Sequence, residues 1–203
     1  MMKKKYVMLA AAVAAMVAGQ AMAQESPWLV RLRAVQLGMA NERSADLEAA
    51  LPGVGSNDKV IGEVDVSYFF TPNIAAELIL TVPQQQIVRA NSGQLGTFVH
   101  LPPTLNLQYH FTGLQGFKPY VGAGVNYTKI SSVDIAGGAG DLKSSSTGAS
   151  LQAGLDIPLD KKWSINMDVK KVYIKSDVFV GGVNKGTLKL DPTLFGVGLG
   201  YRF

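Results

Sequence analysis

The stretch that decides the fold is "FGVGLGYRF", residues Phe195–Phe203. Bulky apolar or aromatic residues stand at every second position, and glycine or arginine fills the positions between them. A period of two is typical of a β-strand with one apolar face. Such a strand would be an aggregation hazard at the exposed edge of a soluble sheet. The pattern therefore predicts a strand that pairs with a neighbour on both of its edges.

The same period of two recurs along the chain and predicts eight strand cores. These cores are Trp28–Ala34, Val60–Phe70, Ile74–Val82, Leu101–Phe111, Tyr120–Thr128, Gly148–Ile157, Trp163–Lys170 and Phe195–Phe203. All charged side chains within the cores fall on the polar face of their strand. They are Arg31, Arg33, Glu63, Asp65, Glu77, Asp156, Asp168, Lys170 and Arg202. The sequence thus predicts a sheet with one apolar and one ionic face, without saying which face is inside.

The lengths of the connections distinguish a soluble sheet from a membrane barrel. A soluble barrel or sandwich turns its apolar face inward, whereas a membrane barrel turns it toward lipid. Short links at 71–73, 112–118 and 158–162 alternate with long ones at 35–59, 83–100, 129–147 and 171–194. Short turns on one side and long loops on the other are typical of outer-membrane barrels. This alternation favours the membrane barrel.

Aromatic residues concentrate at the end with the short turns. The residues mapped there are Trp28, Tyr68, Phe69, Phe70, Tyr109, Phe111, Phe117, Tyr120, Trp163, Tyr201 and Phe203. Aromatic rings favour the membrane interface, so they predict a belt at this end. Every backbone polar group inside a membrane needs a partner, so the last strand must pair with the first. We therefore predict an all-β fold, an eight-stranded antiparallel up-and-down transmembrane β-barrel, with glycines on the inner face leaving room for larger neighbours.

The start of the sequence predicts export. Lys3–Lys5 form a positive region, Val7–Ala18 is apolar, and Ala21–Ala23 is an A-x-A cleavage motif. The apolar stretch is shorter than the roughly 20 residues of a membrane-spanning helix, which disfavours an uncleaved anchor. We predict a cleaved signal peptide at residues 1–23 and a single barrel domain at residues 24–203. Cleavage removes three lysines, so the formal net charge falls from +4 to +1 and no argument for nucleic-acid binding remains.

Four longer stretches resemble one known family. "HLPPTLNLQYHF" (His100–Phe111) and "KPYVGAGVNYT" (Lys118–Thr128) are similar to signature strands of the OmpW family of small outer-membrane proteins. The resemblance continues through "GLDIPLDKKWSINMDVKKVYI" (Gly154–Ile174) and "LDPTLFGVGLGYRF" (Leu190–Phe203). It implies a monomeric barrel with a narrow lumen that passively conducts small, mostly hydrophobic solutes. Sideways exit through the wall is one route that the family suggests.

The resemblance also implies a site inside the lumen. In the family, inward side chains of the third and seventh strands constrict the passage, and here these positions are Ile79 and Lys170. Lys170 departs from the aromatic residue that would make an apolar constriction, with Glu77 and Asp168 close enough in sequence to neutralise it. Further lumen charges are expected at Glu63, Asp65, Arg31 and Arg33, with the four long loops as the mouth. A barrel filled by salt bridges is the alternative, because eight strands enclose little space.

The predicted partners follow from the barrel. They are outer-membrane lipid, small hydrophobic solutes, and the barrel-assembly machinery and periplasmic chaperones during biogenesis. Tyr201 and Phe203 resemble the C-terminal signal that the assembly machinery reads. The runner-up function is a non-conducting structural or receptor barrel, such as a phage or bacteriocin receptor or a stress-related envelope protein. A soluble lipocalin-like carrier is a third class.

Catalytic and metal-binding patterns are weak. His110 is predicted to point inward, and no serine lies two residues away on its strand to form a nucleophile–base pair. Asp134, Asp141 and Asp177 fall in separate loops without recognisable ligand spacing. We therefore predict no enzymatic activity, no cofactor and no metal site.

Overall fold

The computed structural model describes residues 26–203, so the predicted signal peptide at residues 1–23 lies outside the described part of the chain. The strands are β1 (Trp28–Gly38), β2 (Glu42–Arg43), β3 (Gly55–Ser56), β4 (Lys59–Phe69), β5 (Ile74–Thr81), β6 (Gln84–Ala90), β7 (Gly93–Leu101), β8 (Thr104–His110), β9 (Lys118–Ile135), β10 (Gly140–Leu142), β11 (Ser145–Pro158), β12 (Trp163–Val172), β13 (Lys175–Val180), β14 (Val183–Lys189) and β15 (Thr193–Arg202). The part of the chain that the structure describes contains two short helices, α1 (Ala45–Ala50) and a 3-10 turn at Ala136–Gly138. No helix among residues 26–203 has the length and apolar character to cross a membrane.

Eight of these strands form a closed antiparallel barrel, as the sequence predicts. Around the wall the order is β1, β4, β5, β8, β9, β11, β12 and β15. Strand β15 pairs with β12 on one edge and with β1 on the other, where Leu199 lies opposite Leu32. The C-terminal stretch Phe195–Phe203 therefore closes the sheet, and no edge of the wall is left unpaired along this seam.

The two faces of the wall point as predicted. Leu32 and Val197 are 60% and 58% exposed on the outer surface, whereas Arg31 between the outward residues of β1 is fully buried. Successive side chains of a strand point to opposite faces, so the direction of one side chain determines the direction of all the others in that strand. The apolar exterior and the ionic interior exclude the soluble arrangement, in which the same residues would be reversed.

Aromatic rings line the outside of the short-turn end. Tyr201 contacts Trp163 and Phe203 edge-on, with ring centroids 4.8 and 4.9 Å apart. The prediction is wrong for Phe69 and Tyr120, which are buried inside the barrel. Both alternate with outward-facing neighbours, so their position in the strand overrides the preference of aromatic rings for the membrane interface.

The four long connections are not irregular loops but an extension of the barrel. Strands β6 and β7 form a hairpin, as do β13 and β14, and β9 continues upward beside β7 and β10. The connection after β1 completes this extension by pairing β2 with β14 and β3 with β6. Buried apolar side chains, including Leu47 of α1, Val54 and Phe98, pack in its interior. The predicted mouth is therefore an ordered structure with an apolar core.

Candidate functional site in the barrel interior

The lower half of the barrel, toward the short turns, is filled by a set of ion pairs that we call the lower network. It consists of Arg31, Arg33, Glu63, Asp65, Glu77, Asp156, Asp168 and Lys170. These residues come from five strands: β1, β4 and β5 are neighbours in the wall, and β11 and β12 are separated from β1 by β15. Every one of them is buried. The predicted lumen charges thus do meet.

Arg31 holds the lowest layer of the network together. Its Nε and Nη2 donate to both carboxylate oxygens of Asp156 at 3.1 and 2.6 Å. Its Nη1 donates to Glu77 at 2.9 Å and to Ser67 at 3.1 Å. The pairing with Asp156 is bidentate because the planar guanidinium matches the geometry of a carboxylate. It crosses the lumen from β1 to β11. This layer therefore links opposite sides of the wall.

Arg33, two residues further along β1, forms the next layer. Its Nε donates to Asp65 at 2.5 Å, and its Nη1 pairs with Asp168 of β12, two strands away in the wall. Its Nη2 donates to Glu77 Oε1 at 3.0 Å, the oxygen that also accepts from Arg31. Glu77 thus joins the two layers, and removing either arginine would leave buried carboxylates without their cation.

Lys170 caps the network on its upper side. Its ammonium pairs with Glu63 from β4 and lies 3.2 Å from Asp168. Gln152 donates to the same Asp168 oxygen at 2.8 Å and accepts from Asn106 at 2.8 Å. Lys170 is therefore paired with Glu63 and Asp168, whereas Glu77, the other predicted partner, pairs with Arg31 and Arg33.

A second cluster below the network was not predicted. His110 stacks on Tyr120 with ring centroids 4.9 Å apart, and Phe69 packs against the other side of the same imidazole at 4.8 Å. The Tyr120 ring also receives the Arg31 guanidinium at 5.0 Å. Gly154 makes room for this tyrosine, because a Cβ there would lie 2.3 Å from its ring. Strand parity was the available signal, since Tyr120 shares the inward face with Gly122 and Gly124.

Above Lys170 the interior changes character and contains a narrow space that we call the upper cavity. Side chains of one side are apolar, such as Ile61, Val172 and Leu194. The other side is polar, with Thr81, His100, Thr104 and Asn126 on neighbouring strands. The volume of the cavity that is open to water-sized groups is about 30 Å³. The cavity is therefore narrow.

The predicted constriction residues meet at this cavity. Ile79 and Lys170 both line it, Ile79 from β5 and Lys170 from β12. Both are buried and face inward, as strand parity predicts. Their proximity is compatible with a narrow point in the lumen, and their role in passage remains a prediction.

Beside the upper cavity the backbone pairing of the wall is interrupted. Strands β5 and β8 pair as far as Ile79 opposite Thr104, and pairing resumes between β6 and β7 with Gln84 opposite His100. The interval, residues 80–83 and 101–103, contains three prolines, which cannot donate a backbone hydrogen bond. Pro102 lines the cavity itself. We call this interval the wall interruption.

Within residues 26–203, no group of three or more histidine or acidic side chains is arranged so that it could hold a metal ion. The acidic residues of the lower network are occupied by arginine and lysine instead. The expectations of no cofactor and no metal site therefore stay predictions that the described residues do not contradict.

A closed barrel with lipid-facing apolar residues and an ionic interior defines the class of bacterial outer-membrane β-barrel proteins. The OmpW family model matches residues 28–203. The uncharacterized outer-membrane protein y4mB of Sinorhizobium fredii is 44% identical over 187 residues, covering 88% of this chain and 80% of that protein. Outer membrane protein W of Escherichia coli is 30% identical over 211 residues, covering 98% and 100%. The crystal structure of OprG from Pseudomonas aeruginosa shares the fold, with a TM-score of 0.73 at 22% identity over 89% of this chain and 97% of that one.

The chain belongs to the OmpW family, and its place is the outer membrane of the bacterial cell, in contact with the membrane lipid. This confirms the resemblance stated from the four sequence stretches, as well as the fold that it implies.

Proposed function

We propose that the protein passively admits small, mostly hydrophobic solutes, which enter through the extension, reach the upper cavity and leave sideways through the wall interruption. One observation carries this proposal. The apolar cavity lies beside the interrupted part of the wall, while the lower network occupies the straight path to the other end.

The lower network argues against a straight path for an apolar solute. Arg33 alone pairs with carboxylates from three other strands, through Asp65, Glu77 and Asp168. A solute passing through the network would separate buried ion pairs and leave charges without partners, which is strongly unfavourable. The lipid side of the wall interruption offers an apolar exit without that cost.

Two variants on one strand test the route. Ile61→Trp would fill the upper cavity from β4, whereas Val60→Trp places the same ring on the lipid-facing side. The measurement is the uptake rate of N-phenylnaphthylamine, an apolar fluorophore, into vesicles with a lipopolysaccharide outer leaflet. We expect Ile61→Trp to lower the protein-dependent rate at least fivefold and Val60→Trp to leave it unchanged. If vesicles that contain the unmodified protein take up the fluorophore no faster than protein-free vesicles, the proposal is contradicted.

A non-conducting receptor barrel is the second candidate, and a specific observation favours it. The extension is folded around its own apolar core, including Leu47 and Phe98, and so presents an ordered surface to the outside. Single-channel recordings in planar bilayers, together with the uptake assay, separate the two candidates. A receptor barrel gives neither ion conductance nor fluorophore uptake, while binding of a phage or bacteriocin to cells depends on the extension.

Biogenesis and catalysis remain at the level of proposals. Tyr201 and Phe203 would serve as the signal for the assembly machinery, supported by their position on the last strand next to the closing seam. His110 contacts Tyr120, Phe69 and Gln108. None of these is a nucleophile–base pair, which supports the prediction of no enzymatic activity.

A further inference from the structure

The polar side of the upper cavity contains two buried groups that lack a partner. Asn126 donates to the backbone oxygens of Pro102 and Pro103 and to Thr104, so Asn126 Nδ2 and the Thr104 hydroxyl are both satisfied. Thr81 Oγ1 and His100 Nδ1, by contrast, have no hydrogen-bond partner among the described residues. Both side chains are more than nine-tenths buried and line the cavity. Buried polar atoms are rarely left unpaired, so these two call for an occupant.

The hydrogen bonds around His100 define what its free nitrogen offers. Ser56 donates to Gln86 Oε1 at 3.4 Å, which directs the amide nitrogen of Gln86 toward His100 Nε2 at 3.3 Å. Nε2 then accepts, so the neutral imidazole carries its proton on Nδ1. Burial lowers the pKa of His100 to about 4, with Lys59 adding to the effect, so the ring is neutral at pH 7. The cavity is therefore lined by one unpartnered N–H donor, on His100, and one unpartnered hydroxyl, on Thr81.

The surroundings of the cavity disfavour a charged occupant. Lys170 at its floor is already paired with Glu63 and Asp168. It therefore offers no unpaired cation to an anion, which would also lose its hydration on entering the cavity. A cation would lose its hydration against the apolar side and could not accept from the imidazole N–H.

We propose that the upper cavity binds neutral apolar solutes that carry one oxygen-containing group, such as an alcohol or a ketone, through His100 and Thr81. The oxygen accepts from the imidazole N–H and hydrogen-bonds to the threonine hydroxyl. The oxygen-containing group fits the cavity volume of about 30 Å³. The hydrocarbon part of the solute lies along the apolar side of the cavity, toward the wall interruption. This specificity rests on the proposed function, since it names the class of solute that enters the route.

Four probes with the same six-carbon chain separate the possible occupants: 1-hexanol, hexane, hexanoate and hexylammonium. The intact barrel is placed in lipid nanodiscs, and binding is followed by the NMR signals of isoleucine methyl groups at Ile61 and Ile79. Half-saturation is expressed as the mole fraction of solute in the bilayer, which removes the difference in partitioning. We expect hexanol to half-saturate at a mole fraction at least tenfold below those of the other three probes.

Variants of the two polar groups then identify their contribution. Thr81→Val and His100→Leu should each weaken hexanol binding three- to tenfold and leave hexane binding unchanged. Thr81→Ser keeps the hydroxyl and should retain hexanol binding. Comparing Thr81→Val with Thr81→Ser therefore tests the role of the hydroxyl even if His100→Leu does not fold. Thr147→Val, an exposed threonine on β11, serves as the control without effect.

The outcomes distinguish this inference from the proposed function. Equal binding of hexanol and hexane, tighter binding of hexanoate or hexylammonium, or full hexanol binding by Thr81→Val would overturn the inference, whatever the uptake assay shows. Preferential hexanol binding together with absent fluorophore uptake would support the site and overturn the transport proposal.

Discussion

The lower and upper halves of this barrel have the same wall but opposite interiors. Below Lys170 the lumen is crossed by arginine–carboxylate pairs that link β1 to β11 and β12. Above it, apolar side chains such as Ile61 and Leu194 face a narrow cavity, and the wall beside it is interrupted. The inner face of a membrane barrel therefore does not have one character. Its lower half is filled by ion pairs that link strands across the lumen, and its upper half contains a cavity.

The largest expected effect comes from breaking the lower half. Arg33→Met removes the cation shared by Asp65, Glu77 and Asp168. Removing one partner of a buried ion pair costs about 3–5 kcal/mol, because the remaining charges stay buried without compensation. We expect a loss of that size in the free energy of unfolding, measured by urea titration in detergent micelles. A loss below about 1 kcal/mol, the range of exposed pairs, would show that the network is not structural.

The next effect tests the boundary between interior and exterior. Leu107 on β8 is exposed toward lipid, directly beside the inward-facing Gln108. Leu107→Arg should cost about 2–4 kcal/mol, because a charge on the lipid face near mid-depth must be buried in hydrocarbon. The comparison is urea unfolding of the variant and the unmodified protein in the same micelles. An unchanged unfolding midpoint would mean that this face of β8 does not contact lipid.

The wall and its faces were predictable because the strand period of two carries that information. Alternation places Arg31, Asp65 and Asp168 on the polar face, the alternating lengths of the connections predict that this face is inside, and the structure confirms that the three are buried. Phe69 and Tyr120 were misplaced because residue type was given more weight than parity. Tyr120 shares its face with Gly122, and Phe69 shares its face with Asp65 and Ser67, so alternation already contained the correct answer.

The extension was harder to predict because polar residues dominate several of its strands, such as β6 (Gln84–Ala90) and β14 (Val183–Lys189). One local signal was present: Gly181-Gly182 between Val180 and Val183 is a two-residue hairpin sequence, and both glycines have positive φ, 57° and 76°. The pairing of β2 with β14 and of β3 with β6 had no such signal, since it joins residues far apart in the chain. The unpartnered groups of the upper cavity depend on these long-range contacts and could not be read from the sequence.

A third prediction concerns the upper half. Folded His100 has a pKa of about 4, below the ordinary value of 6.5, because the ring is buried. As the pH falls from about 6.5, the unfolded chain gains a proton that the folded chain does not, so stability declines until about pH 4. The full decline is roughly 3 kcal/mol. The difference between the unmodified protein and His100→Gln in urea unfolding at pH 7 and pH 4 isolates this contribution. Equal pH dependence of the two would exclude it.

The smallest expected effect uses the same substitution as the largest one, at a different place. Arg43 pairs with Glu48 on the outside of the extension, where both side chains reach solvent. Solvent and flexible side chains weaken such pairs, and Arg43 adds two hydrogen bonds to the backbone oxygens of Asn41 and Val54. We therefore expect Arg43→Met to cost at most about 1 kcal/mol. The variant should still be detectable, because the hydrogen bond from Arg43 lowers the pKa of Glu48, with the Gly53 backbone N–H adding to it. Loss of Arg43 should raise that pKa toward its ordinary value in an NMR titration of the carboxyl carbon. A large loss of stability in this variant would mean that the cost of Arg33→Met reflects arginine packing in general and not burial of its charge inside the barrel.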